Sequence, residues 1–120
     1  MPSKDIGQIK KTVREFVDKR QGVSFVELER LLDDKIEIEG EQSLTSAADP
    51  KINYWMGMSD EFAEIIRDMI QNNELYIDTC SPLVYAMDGK QPGLKLAKQP
   101  PKDGYKTQRW LPIVFYTEEQ

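Results

Sequence analysis

The spacing of apolar residues changes from helical to alternating after Asn73, and this change divides the chain into helices followed by strands. Apolar positions recur three and four residues apart over 6–17, 25–32 and 62–70, which predicts three amphipathic helices. Gly22 is expected to end the first helix, because glycine reaches the left-handed conformation of a helix terminus at little cost. Three amphipathic helices require a shared core, so the fold is expected to form around their apolar faces.

Polar residues mark the starts of the second and third helices. Ser24 and Glu27 have the spacing of a capping box, in which each side chain accepts a hydrogen bond from the other residue's backbone N–H. Ser59 is expected to cap the third helix, and the acidic residues that follow it suit the positive end of the helix dipole. The short link 21–23 leaves room for a strand stub of two or three residues between the first two helices.

Strands are expected in two parts of the chain. The insertion between the second and third helices, residues 35–57, contains alternating segments at 35–39 and 52–55, which are predicted to be short strands around a loop. After the third helix, the segments 75–78 and 83–87 alternate in the same way and are predicted to pair as a hairpin. The second half of the chain is therefore expected to be mainly β-structure.

The C-terminal part is predicted to be a long loop and a closing strand. Asp88 and Gly89 form a strong turn signal, and a basic, proline-spaced loop follows over 89–109. The segment 110–116 is expected to be an edge strand, because Pro112 has no N–H for a central ladder. Three helices plus a C-terminal antiparallel β-hairpin or wing, with a short β insertion between helices 2 and 3, is a winged-helix-like α+β order. We expect one such domain over residues 1–120.

The chain also resembles a known group of proteins. The segments that carry the likeness are 22–29, 55–59, 81–85, 88–89 and 110–115. They resemble segments of small winged-helix-like proteins from phages and mobile islands of Gram-positive bacteria. The likeness covers most of the chain, but it consists of packing and turn signatures. It implies a phage or mobile-element origin and no particular activity.

The residue types present exclude most catalytic machinery. The 120 residues include no histidine and one cysteine, so Ser/His/Asp and Cys/His arrangements and His-containing zinc sites are excluded. Cys80 has no activating base beside it in the sequence and is expected to be a small, buried or half-buried side chain at a strand end. Glu37, Glu39 and Glu41 share one face of an alternating segment, but a calcium loop needs more oxygen ligands and a sharp glycine turn. We therefore expect a non-enzymatic protein with no catalytic residues, no metal and no cofactor.

The sequence carries no membrane or export signal. No apolar run approaches the roughly 20 residues that a membrane-spanning helix needs. Residues 1–5 lack the apolar core of a signal peptide. A single cysteine cannot form an internal disulfide, so the reducing cytoplasm of a bacterial host is the expected location.

Charge is distributed unevenly along the chain. Residues 24–79 carry 14 acidic and four basic side chains, a net charge of −10, whereas the first 23 residues sum to +3 and the last 41 to +2. A charge distribution of this kind bears on partners rather than on the fold. Two binding hypotheses follow from it, one for each sign of charge.

The first hypothesis is DNA-linked regulation through a basic wing. Winged-helix proteins place the wing against the DNA backbone, and each phosphate that a cation neutralises strengthens salt-sensitive binding. Tyr105 and Trp110 interleave with the cations of the loop, and Asp103 is the one acidic residue between 89 and 112. The predicted contacts are Lys90, Lys95, Lys98, Lys102, Tyr105, Lys106 and Arg109 in the loop, with Lys10, Lys11 and Arg14 in the first helix. Sequence specificity is expected to be weak.

The second hypothesis is a protein partner. The exposed side of the third helix is rich in carboxylates, which repel phosphates, so this helix is poorly suited to the major groove. An acidic surface would instead fit the basic groove of a host or phage nucleic-acid-binding protein, as in phage inhibitors and anti-CRISPR proteins of this size. The residues predicted for this surface are Glu37, Glu39, Glu41, Asp60, Glu61, Glu64 and Asp68. Homodimerisation through the edge of strand 110–116, or through the first helix, is a further possibility.

Overall fold

The computed structural model describes residues 5–98 and 104–120, which form an α+β fold, as predicted. Its elements in chain order are α1 (Ile6–Arg20), α2 (Phe25–Leu32), β1 (Glu39–Thr45), β2 (Ile52–Met58), α3 (Asp60–Gln71), β3 (Tyr76–Thr79), α4 (Leu83–Asp88), β4 (Arg109–Trp110) and β5 (Ile113–Tyr116). One sheet has the strand order β1-β2-β4, with β2 antiparallel to β1 and parallel to β4. The second sheet pairs β3 with β5 in antiparallel fashion.

The three helices expected from the apolar spacing are present, and their caps are those predicted. Ser24 Oγ accepts from Glu27 N at 3.2 Å and Glu27 Oε1 accepts from Ser24 N at 3.4 Å, which completes the capping box of α2. Ser59 Oγ accepts from Phe62 N at 3.0 Å at the start of α3. α1 ends two residues before Gly22, whose φ of 76° lies in the left-handed region. Local polar residues therefore set these helix ends.

Five buried aromatic rings form the centre of the core. Phe25 stacks on Trp55 with ring centroids 5.3 Å apart, and the edge of Phe115 meets Phe25 at 4.8 Å. Tyr85 lies between Trp55 at 5.2 Å and Trp110 at 5.3 Å. These rings come from α2, β2, α4, β4 and β5, so one aromatic cluster joins both sheets to the helices.

Residues 83–87, predicted to be a strand, form the helix α4 instead. Pro82 precedes it with φ −60°, a value that suits the start of a helix, and Gly89 ends it with φ 82°. The pair at 88–89 is thus a helix terminus and not a hairpin turn. A five-residue apolar run does not distinguish a strand from a helix, and Tyr85 is the only fully buried residue of α4. The predicted hairpin between 75–78 and 83–87 is therefore wrong.

The segment 110–116 is divided between two sheets, and Phe115 in its second half has a backbone partner on each side. Phe115 N donates to Val23 O at 2.8 Å, and Phe115 O accepts from Val23 N at 3.0 Å, on the side of β5 opposite to β3. Val23 is thus the predicted strand stub. β5 is one of the two strands of its sheet, as an edge strand is, but Pro112 is not the reason, because it lies in the break between β4 and β5 and interrupts no ladder. The bridge between Val23 and Phe115 occupies part of the strand edge through which homodimerisation was predicted.

The β insertion is present, but its first strand begins later than predicted. β2 confirms the strand expected at 52–55, whereas β1 begins at Glu39 and not at 35. Ile36 and Ile38 are buried, in agreement with the alternation, yet Ile38 O accepts from Ser59 N at 2.7 Å. The segment before β1 therefore hydrogen-bonds to the start of α3 and not to a neighbouring strand.

The described part of the loop 89–109 is attached to the first sheet. Ala97 N donates to Trp110 O at 2.7 Å, Trp110 N donates to Lys95 O at 2.9 Å, and Arg109 N donates to Lys51 O at 2.8 Å. The segment 83–87, which was predicted to precede this loop as a strand, is the helix α4, and β5 pairs with β3 instead. The described loop is thus held against β2 and β4 and does not project as a free hairpin.

Candidate functional site

The cations of α1 that were predicted to contact nucleic acid are paired with carboxylates. Lys10 Nζ lies 3.5 Å from Asp68 Oδ2, and Arg14 forms an ion pair with Glu74. Lys11 Nζ lies 3.9 Å from Glu15 Oε1 in the same helix. The first two pairs join α1 to α3 and to the segment that follows α3. The positive charge of these three side chains is thus largely compensated within the fold.

Lys90 is also paired, and its partner is a buried carboxylate. Its Nζ lies 2.7 Å from Glu29 Oε1 and 5.8 Å from the ring centroid of Trp55. Glu29 is 8 % exposed, and its Oε2 accepts from Trp55 Nε1 at 3.0 Å. Lys90 therefore compensates the buried negative charge of Glu29. This contact indicates a structural role for Lys90 and not phosphate binding.

The remaining predicted cations lie on the loop between residues 95 and 109, and one of them, Arg109, lies over the ring of Tyr105. We call this group the basic cluster, which consists of Lys95, Lys98, Lys106 and Arg109 with Tyr105 between them. The Arg109 guanidinium lies 5.2 Å from the Tyr105 ring centroid, and Tyr105 Oη donates to Lys98 O at 2.9 Å. The three lysines are exposed and form no ion pair with any carboxylate in the described part of the chain. Lys102 lies outside the described residues, and Trp110 is buried at 2 % exposure, so it does not interleave with the cations.

The predicted acidic residues belong to two segments that meet at Ser59. Its Oγ donates to Glu37 O at 2.7 Å, and its N donates to Ile38 O at 2.7 Å, so the start of α3 lies against residues 37–38. A cavity of about 360 Å³ between β1 and α3 is lined by Gln42 and by five α3 residues that include Asp60, Glu64 and Arg67. We call the combined surface the acidic face, which consists of Glu37, Glu39, Glu41, Asp60, Glu61, Glu64 and Asp68.

Most carboxylates of the acidic face are not compensated. Within residues 5–98 and 104–120, Glu37, Glu39, Glu41, Asp60 and Glu64 are exposed and lie beyond ion-pair distance of any cation. Asp68 is the exception through its pair with Lys10, and Glu61 is half-buried. The tertiary structure thus neutralises many of the predicted basic contacts and leaves the acidic face charged.

A groove beside the acidic face was not predicted. It has a volume of about 540 Å³ and lies between α2, the segment before β1 and the end of α4. Its carboxylates Glu29, Asp33 and Asp88 were not among the predicted site residues. One signal in the sequence pointed to it, because Glu29 lies one helical turn from both Phe25 and Leu32, within the apolar face of α2. No sequence signal pointed to Asp33 or Asp88, because their exposure and side-chain partners depend on the tertiary structure.

The groups with shifted pKa values do not suit nucleophilic or acid-base chemistry near neutral pH. Burial, with the nearby Asp78 carboxylate, raises the pKa of the half-buried Cys80 thiol to about 11, so the reactive thiolate is scarce. Burial raises the pKa of Tyr85, whose hydroxyl is held by two backbone groups. In the described ranges, no group of three cysteine or acidic side chains is arranged to hold a metal ion.

No helix in the described part of the chain is both long enough and apolar enough to cross a membrane. Comparison of the chain with protein-family models, with curated proteins and with solved structures found no match.

Proposed function

We propose that this protein is a non-enzymatic binding module that docks its acidic face on a positively charged surface of a protein partner. The observation that carries the proposal is the difference in charge pairing between the two candidate surfaces. Five exposed carboxylates of the acidic face form no ion pair with a described cation, whereas Lys10, Lys11, Arg14 and Lys90 are paired. Unpaired surface charge steers an oppositely charged partner and selects against partners of the same sign.

The order of the elements supports a winged-helix-like scaffold for this module. α1, the Val23 stub, α2, α3, β3 and β5 follow the winged-helix order, with β1 and β2 inserted before α3 and with α4 and β4 inserted before β5. In such folds the helix at the α3 position commonly enters the major groove of DNA. In this chain that helix carries exposed Asp60 and Glu64 and partly exposed Asp68, which repel phosphates. The surface suits a basic protein better than DNA.

The partner class that fits this surface is a host or phage nucleic-acid-binding protein in the bacterial cytoplasm. The cations that line a nucleic-acid groove attract carboxylates as they attract phosphates. A groove occupied by the acidic face would be closed to nucleic acid, so the proposed role is inhibition of the partner, as in an anti-CRISPR protein. The phage or mobile-element origin implied by the resemblance described above is consistent with that role.

The experiment is a comparative capture from a nuclease-treated bacterial lysate. Three immobilised forms are compared: the wild type, the acidic-face variant Asp60→Lys/Glu64→Lys, and the control variant Lys95→Glu/Lys98→Glu. Nuclease treatment removes nucleic acid that would bridge proteins non-specifically. We expect the wild type and the control to retain the same nucleic-acid-binding proteins, with release at raised salt because the contact is electrostatic. The acidic-face variant is expected to lose them.

Two results would contradict the proposal. Equal capture by the wild type and the acidic-face variant would show that the acidic face is not the contact surface. Loss of capture in the control variant alone would assign the contact to the basic cluster. Circular dichroism of all three forms excludes unfolding as the cause, since the four substituted side chains are exposed.

Nucleic-acid binding through the basic cluster is a second candidate function, favoured by a specific observation. Lys95, Lys98 and Lys106 are exposed without a described carboxylate partner, and Arg109 lies over the Tyr105 ring. Cations around an aromatic ring are a common arrangement for contacting a nucleic-acid backbone and its bases. DNA-linked regulation would then depend on this cluster alone, without the cations of α1.

A further inference from the structure

Two large apolar side chains of α4 are exposed to solvent. Leu83 is 68 % exposed and Met87 is 87 % exposed, and they lie four residues apart on one side of the helix. The opposite side of α4 carries Tyr85, which is fully buried in the aromatic core. Isolated apolar residues are common on protein surfaces, but a pair on one helix face forms a small contiguous apolar patch. We call this pair the α4 ridge.

The groove of about 540 Å³ adjoins this ridge. The residues that follow Met87, namely Asp88, Gly89 and Lys90, form one wall of the groove, and α2 forms another. Val26, Ile36 and Ile38 supply the apolar part of its lining. Met87 of the ridge therefore directly precedes one wall of the groove along the chain.

The groove is rigidly built, and its net charge is negative. Its two cations are both engaged, since Lys90 pairs with Glu29 at 2.7 Å and Arg30 Nη2 donates to Asp88 O at 2.8 Å. Asp88 Oδ2 also accepts from Ser24 Oγ at 2.7 Å, which joins the end of α4 to the start of α2. These contacts hold the walls in place before any partner binds.

Three further carboxylates of the groove are available to a partner. Asp33, Glu37 and Glu39 are exposed, and no cation in the described part of the chain lies within ion-pair distance of them. Glu37 and Glu39 also belong to the acidic face, so the groove continues that surface toward α4. The groove therefore presents uncompensated negative charge, and the exposed Met87 directly precedes its wall along the chain.

We propose that the α4 ridge and the groove together form a docking surface for a basic amphipathic segment of a partner protein. Apolar side chains of the segment cover Leu83 and Met87, and its lysine or arginine side chains enter the groove toward Asp33, Glu37 and Glu39. The occupant is chosen by charge complementarity, because nucleic acid and acidic peptides are repelled and a purely polar cation leaves the ridge uncovered. The inference rests on the proposed function for the basic character of the partner, and it adds the apolar contact.

The test measures peptide binding by fluorescence anisotropy. The probe is a labelled helical peptide of about 15 residues with leucines on one face and lysines on the other, compared with a scrambled peptide of the same composition. The protein variants are Leu83→Ser/Met87→Ser for the ridge and Asp33→Asn/Glu37→Gln for the groove. The matched control is Glu118→Gln/Glu119→Gln, which neutralises two exposed carboxylates at the C-terminal end and leaves both proposed elements unchanged. All substituted side chains are exposed, so the fold is expected to persist.

We expect the amphipathic peptide to bind the wild type more tightly than the scrambled peptide. The ridge variant should lose about tenfold in affinity with an unchanged salt dependence, because the lost contact is apolar. The groove variant should lose affinity and also become less sensitive to salt. The Glu118→Gln/Glu119→Gln control should bind within about twofold of the wild type.

Several results would overturn the docking proposal. These are absence of binding to the amphipathic peptide, equal affinity for the scrambled peptide, or an unaffected ridge variant. Dimerisation of the wild type that is lost in the ridge variant, measured by sedimentation, would assign the ridge to a second copy of the chain. Failure of the proposed function can be distinguished from failure of the docking proposal. The proposed function is tested by lysate capture with the acidic-face variant Asp60→Lys/Glu64→Lys, in which the ridge is intact.

Discussion

At the residue scale, Tyr85 joins three elements through one hydroxyl group. Its Oη accepts from Phe25 N at 3.1 Å, at the start of α2, and donates to Ile113 O at 2.6 Å, at the start of β5. Both backbone groups are buried, so removal of the hydroxyl leaves a donor and an acceptor without their partner. The energetic consequence of such a loss is larger than that of an exposed hydrogen bond.

We expect Tyr85→Phe to lower the free energy of unfolding by about 1–3 kcal/mol at neutral pH, measured by urea denaturation. The matched control is Tyr105→Phe, whose lost bond to Lys98 O is exposed and should cost less than about 1 kcal/mol. Equal losses in the two variants would contradict the structural role assigned to the Tyr85 hydroxyl.

Tyr85 also makes the free energy of unfolding depend on pH. Burial raises the pKa of Tyr85 above its ordinary value of 10.0, and burial with Asp78 raises that of Cys80 from 9.0 to about 11. Above these ordinary values the unfolded chain releases protons that the folded chain retains. Stability is therefore expected to fall as the pH rises from about 9 to 11, and the fall should be shallower in Tyr85→Phe. Urea denaturation across this pH range measures the fall, and a free energy of unfolding that does not change with pH would contradict the prediction.

At the element scale, the junction between β1 and α3 depends on a close backbone approach at Gly40. A Cβ atom at this position would lie 2.7 Å from both Met58 O and Ser59 Cα. Backbone atoms cannot rotate out of the way, and this junction holds the two halves of the acidic face together. A side chain at position 40 therefore has to displace either β1 or the start of α3.

We expect Gly40→Ala to destabilise the protein by about 1–3 kcal/mol, as small-to-large substitutions at tight sites do. The control is Gly93→Ala, because a Cβ there meets no described atom within 4 Å and its φ is not in the left-handed range. Thermal or urea unfolding of the two variants measures the difference. A Gly40→Ala protein as stable as Gly93→Ala would show that the junction tolerates displacement.

At the scale of the whole molecule, charge of opposite sign is separated onto different surfaces. The acidic face and the groove are negative, while the basic cluster retains exposed lysines on the loop that packs beside β4. A chain of net charge −5 repels nucleic acid overall, so contact with DNA would depend on this cluster alone. Nucleic-acid binding, the second candidate function, therefore depends on the charge distribution of the whole molecule.

We expect any binding of mixed-sequence duplex DNA to be weak and lost at physiological salt, measured by fluorescence anisotropy from about 20 to 150 mM salt. If the basic cluster is the contact, Lys95→Ala/Lys98→Ala/Lys106→Ala should abolish it and reduce the salt slope by about one unit per lysine. Lys10→Ala/Lys11→Ala should have little effect, because both lysines are paired. Unchanged affinity and slope in the triple variant would exclude the cluster.

Local patterns in the sequence were sufficient for α1, α2, α3 and their caps. Apolar spacing and capping residues act over three or four positions, so the interactions they report are present in any fold that contains the helix. The same local reasoning predicted the burial of Ile36 and Ile38 correctly, although their hydrogen-bond partners differ from those of a strand. The predicted α+β class follows from these local signals and is confirmed.

Contacts between distant residues decided the rest. Tyr85 of the helix 83–88 bonds to the backbone of Phe25 and Ile113, and Phe115 of β5 pairs with Val23. The predicted acidic residues of two segments were brought together at Ser59, while Lys10 and Lys90 were paired with carboxylates 58 and 61 positions away. A linear charge pattern shows which side chains are present. Only the tertiary structure determines which of them are compensated, because an ion pair depends on distance in space and not along the chain.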